Sequence, residues 1–137
     1  MSFVHDRRWQ AEPGTLELTL ESAGRLLISG MFVSGGWEAF KEPGPRARRA
    51  ADLGIPLPKL ATRMNGLTML SAGAALAAGV AVKPASAALV LSLVPTTLAG
   101  HPFWKEEDPK VRAQQRIHFL KNLAMLGGLL VLLSKRR

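Results

Sequence analysis

Nineteen consecutive residues without a charge, Met64 to Val82 ("MNGLTMLSAGAALAAGVAV"), constrain this chain more than any other feature. As a helix they reach ~28 Å at 1.5 Å per residue, the thickness of a bilayer's hydrocarbon core. After Lys83-Pro84 comes a second uncharged run, Ala85 to Gly100 ("ASAALVLSLVPTTLAG"), so the pair predicts two membrane spans joined by a short turn. Pro84 suits the first turn of the second helix, where its missing N–H costs nothing. Pro95 falls inside that helix, a position membrane helices tolerate when hydroxyls such as those of Thr96 and Thr97 lie nearby. A soluble protein with one buried hairpin would need polar partners to cover residues 64–100, and too few amphipathic segments remain to supply them.

Two further segments complete a set of four. Leu26 to Phe40 ("LLISGMFVSGGWEAF") reaches spanning length if its helix begins near Ser22, with Arg25 snorkelling at the rim. Ile117 to Leu133 carries Lys121 and Asn122 early, then the clean run "LAMLGGLLVLL", and Lys135, Arg136 and Arg137 cap it with positive charge. The expected fold is all-α: an integral membrane four-helix bundle with spans near 22–40, 62–82, 84–101 and 117–134, preceded by an N-terminal arm over 1–14. Between the first two spans, "GPRARRAADLG" predicts a short interfacial helix from Arg46 to Leu53, its alanines toward the bilayer and Arg46, Arg48 and Arg49 toward lipid headgroups or a partner. Small residues four apart, such as Gly73 with Ala77 and Ala124 with Gly128, mark the faces on which helices approach closely.

The composition removes several function classes. There is no cysteine, which excludes disulfides, thiolate metal sites and a cysteine nucleophile. The formal charge of +8 invites a nucleic-acid reading, yet the basic residues sit in short groups beside apolar runs, as lipid anchors do, so nucleic acid is not an expected partner. His5, His101 and His118 have no metal-ligand spacing, and neither a phosphate-binding loop nor a GxSxG elbow occurs. The N-terminus lacks the apolar stretch of a removable signal peptide. No metal site and no catalytic residue is expected.

Topology carries the remaining information. With an even number of spans, the end of the first helix, the start of the second, the end of the third and the start of the fourth share one membrane face. Glu38, Lys41, Asn65, His101 and Asn122 are thereby gathered at one mouth of the bundle, where they could form a polar pocket for a quinone carbonyl or a lipid headgroup. The simpler and favoured reading is interfacial anchoring: Glu38 pairs with Lys41, the asparagines bond between helices, and His101 faces headgroups. Trp37, Phe103 and Trp104 read as belt residues at headgroup level. Eleven basic residues on the face with the long loops against seven on the other favour placing those loops in the cytoplasm.

Taken in order, "GRLLISGMFVSGGWEAF", "AADLGIPLP", the Gly-rich second span, "GHPFW" and "HFLKNLAMLGGLL" resemble the DoxX family of small four-helix bacterial membrane proteins, over Gly24 to Leu133. The resemblance implies a multi-pass protein of the bacterial cytoplasmic membrane. It also implies association with membrane oxidoreductases, since the family includes a subunit of an archaeal thiosulfate:quinone oxidoreductase. The expected role is that of a non-catalytic accessory or scaffolding subunit of a membrane oxidoreductase or respiratory assembly, with lipid and other membrane subunits as partners. The alternative is a quinone- or lipid-binding protein, with quinone as the one candidate cofactor.

Overall fold

Prolines, glycines and one aspartate set the helix ends. In the computed structural model, which describes residues 14–136, all regular structure is helical. The elements are α1 (Thr15–Lys41), α2 (Gly44–Asp52), α3 (Pro58–Ala78), α4 (Val82–Gly100), a 3-10 turn (Phe103–Lys105) and α5 (Pro109–Ser134). Pro43 breaks the chain between α1 and α2, and Pro58 opens α3 at a position that needs no N–H donor. The tight turn from α3 to α4 is a Schellman arrangement. Gly79 takes φ 71°, and its N–H and that of Val80 return to the carbonyls of Leu76 and Ala75. At the start of α5, as the Asp-Pro pair predicts, one carboxylate oxygen of Asp108 accepts from the N–H groups of Lys110 and Val111.

Helix limits depart from expectation: α1 and α5 start ahead of their apolar stretches, whereas α3 ends at Ala78, short of Val82, because the turn falls at Gly79 and not at Lys83-Pro84. α1 begins at Thr15 rather than near Ser22, and α5 at Pro109 rather than Ile117, because backbone hydrogen bonding does not stop where hydropathy falls. The segment 109–116, which lies ahead of the expected span, forms that helix's first two turns. The short second helix spans Gly44–Asp52, close to the predicted range, but its alanines do not face outward. Ala47 and Ala50 are buried as α2 packs on α3 and α4; only Ala51 and Leu53 are exposed.

Two segments among the described residues are long and apolar enough to cross a membrane: α4 with the turn behind it (82–105), and α5 (109–134). α1 and α3 have the length without the hydropathy. α1 carries Glu17, Glu21, Arg25 and Glu38, and α3 draws much of its apolar content from alanine and glycine.

The distribution of apolar side chains nonetheless marks the whole outer surface. The buried set is small, centred on Phe32, Leu76, Leu89 and Leu129, and it includes the hydroxyl residues Ser29, Thr62, Ser86, Ser92 and Thr97. Outside stand Leu26, Leu27, Leu67, Leu91, Leu130 and Val131, each exposed over two-fifths or more of its surface. On α4 and α5, whose length and hydropathy suit a bilayer, such side chains suit contact with lipid. Hydroxyls on the same exterior are satisfied internally: Thr68 donates to the Met64 carbonyl at 3.0 Å and Ser71 to that of Leu67 at 2.8 Å. Back-bonding of this kind is what a solvent without hydrogen-bonding capacity requires.

The long helices are joined in a row, α1 on α3, α3 on α4 and α4 on α5. The tightest seam is α1–α3, where the backbones touch. A β-carbon on Gly36 would stand 2.6 Å from the Gly66 carbonyl oxygen, and one on Gly66 would stand 2.7 Å from that of Gly36. Gly73 extends the seam toward Phe32 and Val33. No seam of comparable extent joins α1 to α5 among the described residues. These two helices touch where Ile28, midway along α1, reaches the space above Gly128, and again where Lys135 binds Glu21 at 2.7 Å.

Candidate functional site

A cleft of about 450 Å³ lies on the side of the molecule where α2 packs. Every helix contributes to its wall. α2 lies across its mouth with Arg46 and Arg49; Asn65 of α3, Thr96 of α4, His101 and Asn122 of α5 supply polar groups; Met31, Met69 and Leu93 line the depth.

Asn65 is the hub of the polar wall. Its Nδ2 donates to Thr96 Oγ1 at 3.1 Å and its Oδ1 accepts from Ser92 Oγ at 2.6 Å, which ties α3 to α4. One turn along α4, Thr97 Oγ1 accepts from Asn122 Nδ2 at 2.9 Å and donates to the Leu93 carbonyl at 2.7 Å, tying α4 to α5. The hydroxyls beside Pro95 thus serve two neighbouring helices as well as their own backbone. Interhelical bonding by both asparagines agrees with the anchoring reading. Among the described residues, Asn122 keeps its Oδ1 unengaged.

His101 caps the C-terminus of α4 and turns back onto α5. Its Nδ1 lies 2.7 Å from Gln115 Oε1. An amide oxygen only accepts, so Nδ1 carries the proton and Nε2 is left as an acceptor. The ring stacks on His118 with centroids 5.2 Å apart. The expectation that His101 faces headgroups is therefore corrected: it is a half-buried joint between α4 and α5 at the edge of the cleft. Its partner His118, isolated in sequence, gave no signal of this pairing.

Three of the five predicted pocket residues, Asn65, His101 and Asn122, line the cleft; Glu38 and Lys41 do not. Both are exposed on the outer side of α1. Nor do they form the expected pair. The break at Pro43 folds α2 back toward α1, and Arg46 Nη2 reaches Glu38 Oε2 at 3.1 Å. Missed by sequence reasoning are Ser92 and Thr96, the hydrogen-bonding partners of Asn65, and Gln115. Arg46 and Arg49, expected to contact lipid or a partner, line the mouth; Arg48 and Arg49 are both exposed.

Trp37 is half exposed with its ring centroid 6.5 Å from that of Phe40. Trp104 is likewise half exposed, and it forms an edge-to-face trio with Phe103 and Phe119. At the opposite end of the molecule, Glu21 bridges Arg25 at 3.2 Å and Lys135 at 2.7 Å. Lys135 thus acts as a clasp between α5 and α1, Arg136 is exposed, and Arg137, like the arm over 1–13, lies outside the described residues.

A DoxX family model matches residues 20–102, more than half of the chain, from the first turns of α1 to the end of α4. No curated protein and no solved structure matches the chain. The match takes in the arginine-bearing roof, the Asn65 hub and the wall of α4, and it stops short of α5. On the order of its helices and on this match, the chain belongs to the DoxX family of membrane proteins.

Proposed function

We propose that this DoxX-family chain is a multi-pass protein of the bacterial cytoplasmic membrane, with α1, α3, α4 and α5 all crossing, that holds an amphipathic ligand in the cleft beneath α2. Its role is that of a non-catalytic, ligand-holding subunit of a membrane oxidoreductase or respiratory assembly. The observation that carries this reading is the convergence of Asn65, His101 and Asn122 on one cleft with an apolar floor. A pocket of a few hundred cubic ångströms, largely apolar with a few converging polar groups, is the usual form of a small-molecule site. The open Nε2 of His101 and Oδ1 of Asn122 accept hydrogen bonds; the guanidinium groups at the mouth donate them. That combination serves a quinone's oxygen substituents or a lipid headgroup. Apolar exteriors on α1 and α3 support four spans: both present leucine and methionine outward while their small residues pack inward.

Purification of the full chain in mild detergent, followed by solvent extraction and mass analysis, tests the proposal. A quinone or lipid is expected at near one equivalent, lost on Ala99→Phe, which fills the cleft from α4, and reduced on His101→Ala. Co-purifying membrane subunits are expected to survive both substitutions. A ligand unaffected by Ala99→Phe would show that the cleft is not where it binds.

A further inference from the structure

The charge around the cleft is one-sided. Its ionisable lining residues are Arg46, Arg49 and His101, and among the described residues that line it there is no carboxylate. The nearest compensation is Glu38, which binds Arg46 from outside with an exposed side chain. Arg49 has no such partner: its side chain makes no ion pair or hydrogen bond among the described residues, and its Nη1 lies 4.0 Å from where a β-carbon on Gly100 would stand. It therefore leans over the end of α4, beside His101, with its donors unspent.

We infer that the cleft is selective for amphiphiles with an anionic head, a carboxylate or a phosphodiester, which Arg49 and Arg46 grip at the mouth while one hydrocarbon chain runs inward past Met69 and Leu93. This rests on the cleft being a ligand site at all. The two arginines are three apart on α2 and so lie on one face of it. That face is fixed because Ala47 and Ala50, between and beside them, are buried against α3 and α4. A guanidinium presents a planar fork of N–H donors matched to a carboxylate or phosphate. A neutral quinone can accept a hydrogen bond from a guanidinium but carries no charge to balance it. An anionic lipid does, and that charge stays at headgroup level while its chain enters the apolar interior. Arg49 is exposed at the rim and Arg46 partly so, which leaves both guanidinium groups open to a headgroup arriving from outside.

Native mass spectrometry of the full chain in a zwitterionic detergent separates the possibilities, with palmitate, dioleoylphosphatidylglycerol, dioleoylphosphatidylcholine and decylubiquinone as probes. At least one anionic probe is expected to bind about tenfold or more tightly than decylubiquinone, a difference of about 1.4 kcal/mol. Palmitate alone identifies a free carboxylate as the head recognised, and phosphatidylglycerol alone identifies a lipid phosphodiester. Arg49→Gln is expected to weaken the anionic probe about tenfold or more and decylubiquinone far less, because an amide still donates a hydrogen bond but carries no charge. Arg49→Lys, which keeps the charge and loses the fork, should fall between. Lys110→Gln removes a charge from the same face without touching the cleft and is expected to change nothing. Elution volume and helical circular dichroism verify that each variant folds. Decylubiquinone binding as tightly as both anions, or indifference of the anions to Arg49→Gln, overturns the inference and leaves the cleft reading standing. Retention of every probe in Ala99→Phe overturns the cleft reading itself.

Discussion

Asn65 and Ser86 show how differently two polar residues inside one helical protein can behave. Asn65 satisfies hydroxyls of Ser92 and Thr96 across the α3–α4 seam. Asn65→Leu leaves the buried Ser92 hydroxyl without its acceptor and is expected to lower stability by about 1–2 kcal/mol. Asn122→Leu removes a single bond and is expected to cost about 0.6 kcal/mol, because Thr97 keeps its bond to the Leu93 carbonyl. Denaturant titration in detergent micelles ranks the two. Ser86 is wholly buried and its hydroxyl has no hydrogen-bond partner among the described residues. Ser86→Ala removes an unpaired polar atom without changing the backbone, so its thermal midpoint is expected to equal or exceed that of the parent. A clear fall would point to an acceptor for that hydroxyl beyond those described.

At the level of elements, the α1–α3 crossing is the most demanding piece of geometry in the molecule. Gly66→Ala places a β-carbon within 3 Å of backbone on α1, which cannot yield as a flexible side chain would. A loss of about 2–3 kcal/mol is expected, as for an overpacked core. Gly30→Ala, on the same α1 helix but with nothing within 4 Å, is expected to be neutral or mildly stabilising through better helix propensity. Thermal unfolding of both, side by side, checks the contrast. Much about the elements was legible in the sequence: the uncharged runs of α3 and α4, the apolar run of α5, and the short helix after Pro43. Topology alone also put Asn65, His101 and Asn122 at one mouth. What could not be read was how each helix is rotated about its axis. Rotation decides that Gly36 and Gly66 meet, that His101 finds His118 and Gln115, that Glu38 turns outward to Arg46, and that the alanines of α2 face the protein. Small residues spaced by four occur on several faces of these helices, and a sequence rich in alanine does not say which face is used.

For the molecule as a whole, orientation is directly testable because the chain contains no cysteine and any introduced thiol is reported without background. With the long loops in the cytoplasm, Lys105→Cys is expected to react with a membrane-impermeant maleimide only after cell lysis, and Lys83→Cys in intact cells. The reverse pattern would invert the assignment without disturbing the fold.

The glycine seam also bears on how the chain is made. α1 emerges from the ribosome first, yet with Glu17, Glu21, Arg25 and Glu38 it is among the least hydrocarbon-loving of the long helices, and α3, the next long one, meets the span criterion no better. Each conceals its glycines only in the other's groove. α1 therefore has no settled place in a bilayer until α3 is available to sit against it, and the two partition as one unit. A reporter fused after Pro43 should be stripped from membranes by carbonate, whereas one fused after Lys83 should stay.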